Sequence, residues 1–363
     1  MQLRHNFPIF TILPPMLLQQ LIERYKSARK QQYLDKPGTY RSQYAFIGTG
    51  QHSISNLYPL IHYLAVPLKR ICTLHKVHAE KMALRFQQCT GTDKLDDILN
   101  DKDIKGVFVS ASPDHHFNII QQLLDAGKYV FVEKPPCHTL DKLQKLIGHP
   151  NIENCVVGLQ RRFSTINRML SPYSSKTISY SYRYLTGQYP EGDQFAELFI
   201  HPIDNIFHLF GDAEQVSVLP SRKNDRTWFL SIVHTNKVTG MLHLSTDHSW
   251  KLPGEELLIN ADGAILEAVY PNRLTLIEKS RALFNLPLEK IVKLPAVKKV
   301  LLDNNHFAPT VPNNNIAAQG FLGEIEYFLK ITESGSPDPR YHFKRLLPTY
   351  EVFEKIKMQE KTY

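Results

Sequence analysis

The hydrophobic pattern changes character once along the chain. Between residues 44 and 159, short apolar runs alternate with amphipathic stretches. YAFIG, LKRICT, GVFVSAS, YVFVE and CVVGL are separated by SISNLYPLIHYLA, HAEKMALRFQQ, HHFNIIQQLLDAG and TLDKLQKLIG. Unbroken runs rich in β-branched and aromatic residues predict strands buried on both faces. Apolar residues three and four apart predict helices. The expected fold class is therefore α/β, with a doubly wound parallel sheet over residues 43–160.

After residue 160, strand follows strand: ISYSYRYL, AEQVSVLP, TWFLSIVHT, VTGMLHLSTDHSW, EELLINAD, GAILEAV and RLTLIEK. Only FAELFIHPIDNIFHLFG, QGFLGEIEYFLKITESG and the final YHFKRLLPTYEVFEKIKMQE read as helices, the last with a kink or break expected at Pro348. This predicts a second α/β domain over residues 161–363, built on a large, mostly antiparallel open sheet, whose last helix can pack back on the first domain. The PNNN run at 312–315 reads as a loop.

Residues 1–42 form an N-terminal extension with one expected helix. Met16, Leu17, Leu21, Ile22, Tyr25 and Ala28 fall at helical spacing, interleaved with Arg24, Lys26, Arg29 and Lys30. Such a helix either lies on a membrane surface or packs on its own protein or a neighbouring subunit; packing is the reading adopted.

The length of 363 residues suits two cores rather than one. No apolar run reaches the roughly 18 residues of a membrane span. Pro8, Pro14 and Pro15 interrupt the apolar start, which makes a poor signal peptide. Cys72, Cys89, Cys137 and Cys155 are scattered, with no CxxC pair, which argues against a disulfide framework and fits a reducing compartment. A cytoplasmic protein is expected. The net charge of +8 is spread along the chain without an arginine stripe, so no nucleic-acid partner and no membrane partner are expected.

Gly48 and Gly50 stand where the first strand turns into a helix. That turn needs residues free of Cβ crowding, and a pyrophosphate needs close approach to the helix N-terminus. Thr49, Gln51 and His52 complete the turn and are candidate cofactor contacts, although Ser53 replaces a third glycine. An ordinary βα turn would look the same in isolation; the surrounding βα alternation favours a dinucleotide. The second strand ends at Thr73, followed by His75 and Lys76, with no carboxylate between Ile71 and His78. A carboxylate there would accept from a ribose 2′-hydroxyl and repel a 2′-phosphate. NADP(H) is therefore expected over NAD(H), with a solvated loop tolerant of either as the alternative.

The motifs GTGQHS (48–53), SPDHH (112–116), AGKYVFVEKPP (126–136), GLQRRF (158–163) and ELFIHPID (197–204) together resemble the glucose–fructose oxidoreductase/inositol dehydrogenase (Gfo/Idh/MocA) family over roughly residues 43–355. ADGAILE and EIEYFLKITESGSP add weaker matches. The resemblance implies a Rossmann domain followed by an open-sheet domain, with the nicotinamide between them and homodimers or homotetramers formed through the open sheet. It implies that Lys134 holds a substrate oxygen and that Glu133 borders the cofactor. Ala111, Ser112, Pro113 and His116 would flank the dinucleotide, and Arg162 lies in a matching motif. The residues themselves agree for Lys134, which follows a strand at its carboxyl end, where doubly wound sheets bind ligands.

The resemblance also implies an acid and a histidine four apart on a helix, here Glu197 and His201, with His201 as proton acceptor and Glu197 as its partner. The family more often has Asp at the first position, and Pro202 follows His201 directly. Either Pro202 kinks a helix that carries both, or His201 caps a helix beginning at Pro202 with Asp204 in its first turn. Tyr180, Tyr182, Arg183, Tyr184 and Tyr189 either line a sugar pocket or pack a strand face. His115, His243 and His248 have no ligand spacing, so no metal is expected. The expected function is hydride transfer between a nicotinamide and a secondary alcohol or ketone of a polyhydroxylated small molecule. A catalytically silent dinucleotide-binding regulator, imine or pyrrole reduction, and cofactor-assisted glycoside cleavage are the alternatives.

Overall fold

The computed structural model describes residues 15–34, 40–188, 193, 195–221, 223–279, 282–283, 286–287, 297–304, 310–311 and 314–360. Tyr189 and the first half of the PNNN run lie outside the described residues. The chain divides into two compact units, residues 1–41 and 42–363. The first contains helix α1 (Pro15–Leu34), which covers the expected amphipathic stretch. Among the described residues no helix is long and apolar enough to cross a membrane.

The second unit opens on a six-stranded parallel sheet, β1 (Gln43–Ile47), β2 (Leu68–Cys72), β3 (Thr90–Thr92), β4 (Ile104–Val109), β5 (Tyr129–Glu133) and β6 (Cys155–Gly158). The spatial order is β3-β2-β1-β4-β5-β6, so the order reverses between β1 and β4. Helices α2 (Tyr58–Tyr63), α3 (Lys76–Ala83), α4 (Asp96–Leu99), α5 (Pro113–Asp125) and α6 (Leu140–Ile147) connect the strands. Tyr44 to Ile47, Val107 to Val109 and Val130 to Val132 are buried in succession because both faces of the sheet are covered. Five of the six strands are legible as apolar runs. The sixth, β3, is only Thr90-Gly91-Thr92 and has no apolar pattern to reveal it; its pairing with Arg70 to Cys72 defines it.

Helix α7 (Thr165–Ser174) leads to an eight-stranded sheet. Its members are β7 (Thr177–Leu185), β8 (Ala213–Pro220), β9 (Thr227–His234), β10 (Thr239–Ser245), β11 (Gly254–Ala261), β12 (Ala264–Val269), β13 (Arg273–Glu278) and, beyond the two-residue strands β14 (Ala282–Leu283) and β15 (Leu286–Pro287), β16 (Lys298–Asp303). The order is β16-β13-β12-β11-β7-β10-β9-β8. Only the β7–β10 pair is parallel; the other pairs are antiparallel. Alternation is clean: Tyr180, Tyr182 and Tyr184 point inward and are buried, while Ser181 and Arg183 are exposed.

Helix α8 (Ile200–Phe210) lies among the buried elements, with α9 (Asn315–Gln319), α10 (Phe321–Ser334) and α11 (Leu347–Glu360) completing the unit. Pro348 proves to be the second residue of α11 rather than a kink within it. There its missing N–H is one the first turn leaves unpaired in any case. Helix α11 packs on α6, and Tyr350 donates from its hydroxyl to the carbonyl of Cys137 at 2.6 Å.

Candidate active site

Three strand ends meet at Gly48. Its N–H donates to Cys72 O at 2.9 Å, and Ser110 N–H donates to Ile47 O at 2.8 Å. Gly48 has φ +108°, and a Cβ there would lie 2.1 Å from Ser110 O. Only glycine fits. At Gly50 the direction a Cβ would take is open, with nothing within 4 Å. Ser53, in place of a third glycine, donates from its hydroxyl to Gly50 O at 2.8 Å and so closes the turn. A helical segment starts at Gln51 and passes through a wide turn (Ser53–Leu57) into α2.

A cavity of about 750 Å³ opens at this reversal of strand order. Gly48, Thr49, Gly50, Gln51, His52, Thr73, His75, Ala111 and Ser112, all candidate cofactor contacts, line it. The set fits a dinucleotide: a side-chain-free turn, a helix N-terminus for the pyrophosphate and a long, partly apolar wall. His78, Asp93 and His115 line the same cavity and are missing from the sequence-derived set. Asp93 follows the unrecognised strand β3. His78 and His115 each stand two residues beyond a residue already singled out, in the first turn of α3 and α5.

Other expected contacts stand outside that wall. Lys76 lies 3.7 Å from Glu80 at the surface. Pro113 begins α5. His116 is buried, with Nδ1 2.8 Å from Pro135 O and Nε2 3.0 Å from Ala111 O. It braces the loop carrying Lys134 against the loop after β4. Arg162 is buried and bidentate on Asp204, at 2.8 and 2.5 Å. Its guanidinium is committed to joining the turn after β6 to α8.

Beside the cavity, β5 ends in Glu133 and Lys134. Lys134 Nζ donates to the main-chain carbonyl of Glu197 at 2.7 Å and lies 3.7 Å from the Glu197 carboxylate. Burial pulls the Lys134 pKa down against the opposing pull of Glu197 and Glu133. Burial pushes the Glu197 carboxyl up, with Lys134 opposing. Glu197 belongs to a π-helical turn (Phe195–Phe199) that runs directly into α8. Pro202, which has no N–H to give, is the third residue of α8 and stands inside a continuous helical run from Phe195 to Phe210. The helix begins at Ile200 and not at Pro202, so His201 is not its cap.

His201 is buried, and its Nδ1 has no hydrogen-bond partner among the described residues. Burial, followed by the positive groups Arg161, Lys134 and His52 around it, pushes its pKa well below the usual imidazole value. The arrangement gathers an ammonium, a carboxyl and a neutral imidazole at the carboxyl end of β5. An ammonium can hold an oxygen on which negative charge develops, and a neutral imidazole can accept a proton.

The tyrosines of β7 are mainly packing residues. Tyr180 stacks on Phe210, with ring centroids 4.4 Å apart, and its hydroxyl lies 2.9 Å from His234 Nε2. Tyr182 donates to Glu255 at 2.5 Å, and Arg183 pairs with Glu256 on the outer face. Among the described residues no group of three or more metal-ligating side chains is gathered, and the four cysteines are free.

Residues 42–160 match the model of the oxidoreductase family with the NAD-binding Rossmann fold, GFO_IDH_MocA. Over these residues the chain is similar to the Gfo/Idh/MocA oxidoreductases. Its relatives include the uncharacterized oxidoreductase YhhX of Escherichia coli, 27% identical over 195 residues, which are 48% of this chain and 55% of YhhX. Inositol 2-dehydrogenase of Salmonella typhimurium is 41% identical over 70 residues, 18% of this chain and 21% of the relative. The chain thus spans about half or less of the length of these curated relatives. The fold extends further. A dehydrogenase from Chromobacterium violaceum superposes with a TM-score of 0.74 at 19% identity, over 88% of this chain and 95% of the other. KijD10, a 3-ketoreductase from Actinomadura kijaniata in complex with TDP-benzene and NADP, does so with a TM-score of 0.65 at 14% identity, over 87% and 96%. The two sheets are what the alternation of the sequence anticipates.

Proposed function

We propose that this Gfo/Idh/MocA protein moves a hydride between a nicotinamide dinucleotide and a secondary alcohol or ketone of a sugar, nucleotide sugar or cyclitol. The observation that carries this reading is the meeting of Lys134, Glu197 and His201 beside the glycine-lined cavity. The bound nicotinamide would supply or take the hydride. Lys134 holds the reacting oxygen and offsets its developing charge. His201, neutral in its buried setting, takes or returns the hydroxyl proton at its free Nδ1. Glu197 keeps Lys134 aimed through its carbonyl and carboxylate. Residues 43–160 are read as the dinucleotide domain and 161–363 as the substrate domain.

The finer choice, NADP(H) over NAD(H), rests on the end of β2, where Thr73 and His75 line the cavity without a carboxylate on that strand; Asp93, at the end of β3, is the one carboxylate among the described lining residues that works against it. His78 adds a second imidazole to the same wall. A homo-oligomer is proposed through the outer face of the larger sheet, where Ile178, Met241, Leu258, Ile265 and Val300 are exposed. The first test is fluorescence titration of the protein with NADPH and NADH, followed by a substrate screen of sugars, nucleotide sugars and cyclitols. Saturable binding and turnover of one class support the reading. Binding of neither dinucleotide overturns it.

A further inference from the structure

Glu324 is a carboxyl that the chemistry above leaves unused, and it is wholly buried. It stands in the first turn of α10, where its N–H donates to Gly320 O at 3.0 Å. Neither of its carboxyl oxygens has a hydrogen-bond partner among the described residues. An ionised carboxylate in such a place costs several kcal/mol, so the group keeps its proton instead. Burial, and after it the charge of Glu133 on β5, raise its pKa well above the carboxylate range.

Glu133 has the complementary need. Its Oε2 accepts from the Lys134 N–H at 3.3 Å. Its Oε1 is buried, lies 3.2 Å from His52 Nε2, and has no other partner among the described residues. From one side Gly158 confines it, since a Cβ there would come within 3.1 Å of Oε1. The first turn of α10 also reaches His52, whose ring centroid is 5.7 Å from that of Phe321. Glu324 therefore has a proton to donate, and Glu133 Oε1, beside His52, can accept a further hydrogen bond.

We propose that Glu324 is a positioning residue for this end of the cleft, a neutral carboxylic acid that donates its proton to Glu133 Oε1 and holds Glu133 against His52. The proposal rests on the reading above only in placing Glu133 and His52 beside the dinucleotide. No bond is made or broken. The proton stays on Glu324, and Glu133 remains the ionised partner. Because the donor is neutral, an amide can replace it and a hydrocarbon cannot.

The test uses the full chain without cofactor, labelled with ¹³C at the glutamate side-chain carboxyl. At neutral pH one glutamate carbon should resonate as an un-ionised acid, and that signal should vanish in Glu324→Gln. The Glu133 signal should stay near its wild-type position in Glu324→Gln and move in Glu324→Leu, with both variants folded by thermal melt. In dinucleotide titrations, Glu324→Gln should bind within about twofold of wild type. Glu324→Leu should bind on the order of tenfold more weakly, the value of one hydrogen bond to a charged group. A Glu324 carbon that titrates in the ordinary carboxylate range, or a Glu133 signal indifferent to Glu324→Leu, overturns the proposal. If wild type binds neither dinucleotide, the oxidoreductase reading of this site falls, while the carbon signals still decide the role of Glu324.

Discussion

The Lys134 ammonium donates to the main-chain oxygen of Glu197 at 2.7 Å. This bond ties the last residue of the strand-end motif on the parallel sheet to the turn that feeds α8. It joins two parts of the chain that no local pattern connects. It also leaves the ammonium aimed by backbone, so that the Glu197 side chain is an adjunct rather than its sole anchor.

That geometry separates the two residues by experiment. Lys134→Ala removes the charge that stabilises a developing alkoxide and should lower kcat by ~100-fold or more, with dinucleotide affinity largely kept. Glu197→Gln keeps the carbonyl contact and should lower kcat by only about tenfold. Steady-state kinetics on the substrate identified by screening checks both. Equal losses would mean that the carboxylate, and not the carbonyl, holds the lysine.

The two glycines of the turn should behave in opposite ways. Gly48→Ala puts a Cβ into Ser110 O at a positive φ, and should cost about 3 kcal/mol or more of stability. Gly50→Ala meets no protein atom within 4 Å, and should melt like wild type while weakening dinucleotide binding by about tenfold or more. Thermal denaturation and fluorescence titration of the two variants check the contrast.

Cofactor choice should depend on Asp93. It lines the cavity from the end of β3, beside a β2 terminus where the Thr73 hydroxyl is spent on His75 O at 2.8 Å. A carboxylate in this place accepts from ribose hydroxyls and repels a 2′-phosphate. Asp93→Asn should therefore raise the affinity for NADPH relative to NADH by about tenfold. An unchanged ratio of dissociation constants would place the ribose elsewhere.

Acid should destabilise the fold through His208, which stacks on Tyr341 with ring centroids 5.8 Å apart. Burial, and then Arg162, hold its pKa down to about 4. The unfolded chain titrates near 6.5, so between these values it binds a proton that the folded protein refuses. Stability is therefore full above about pH 6.5 and falls as pH drops towards about 4, by on the order of 3 kcal/mol in all. Urea denaturation at about pH 7 and about pH 4.5 should show a smaller difference in His208→Gln than in wild type.

The sequence by itself determined what local chemistry imposes. Continuous apolar runs can only be strands covered on both faces, so the parallel sheet was readable from YAFIG, YVFVE and CVVGL. A glycine with a positive φ under a carbonyl has no substitute, so Gly48 was readable too. Alternation along ISYSYRYL marked a strand, although not which of its tyrosines and Arg183 are buried, nor what they touch.

Only the tertiary structure decided the rest, because it depends on pairings between segments far apart in the chain. Strand β3 exists through its ladder with β2, since Thr-Gly-Thr carries no pattern of its own, and with it Asp93 reached the cavity. Arg162 matched a motif, yet Asp204 consumes its charge. Pro202 reads as a helix breaker, but the helical run from Phe195 to Phe210 continues through it. Glu324 sits in an ordinary amphipathic helix and looks like any helical acid. Only the fold buries its carboxyl beside Glu133, and burial is what turns a charged surface residue into a proton donor.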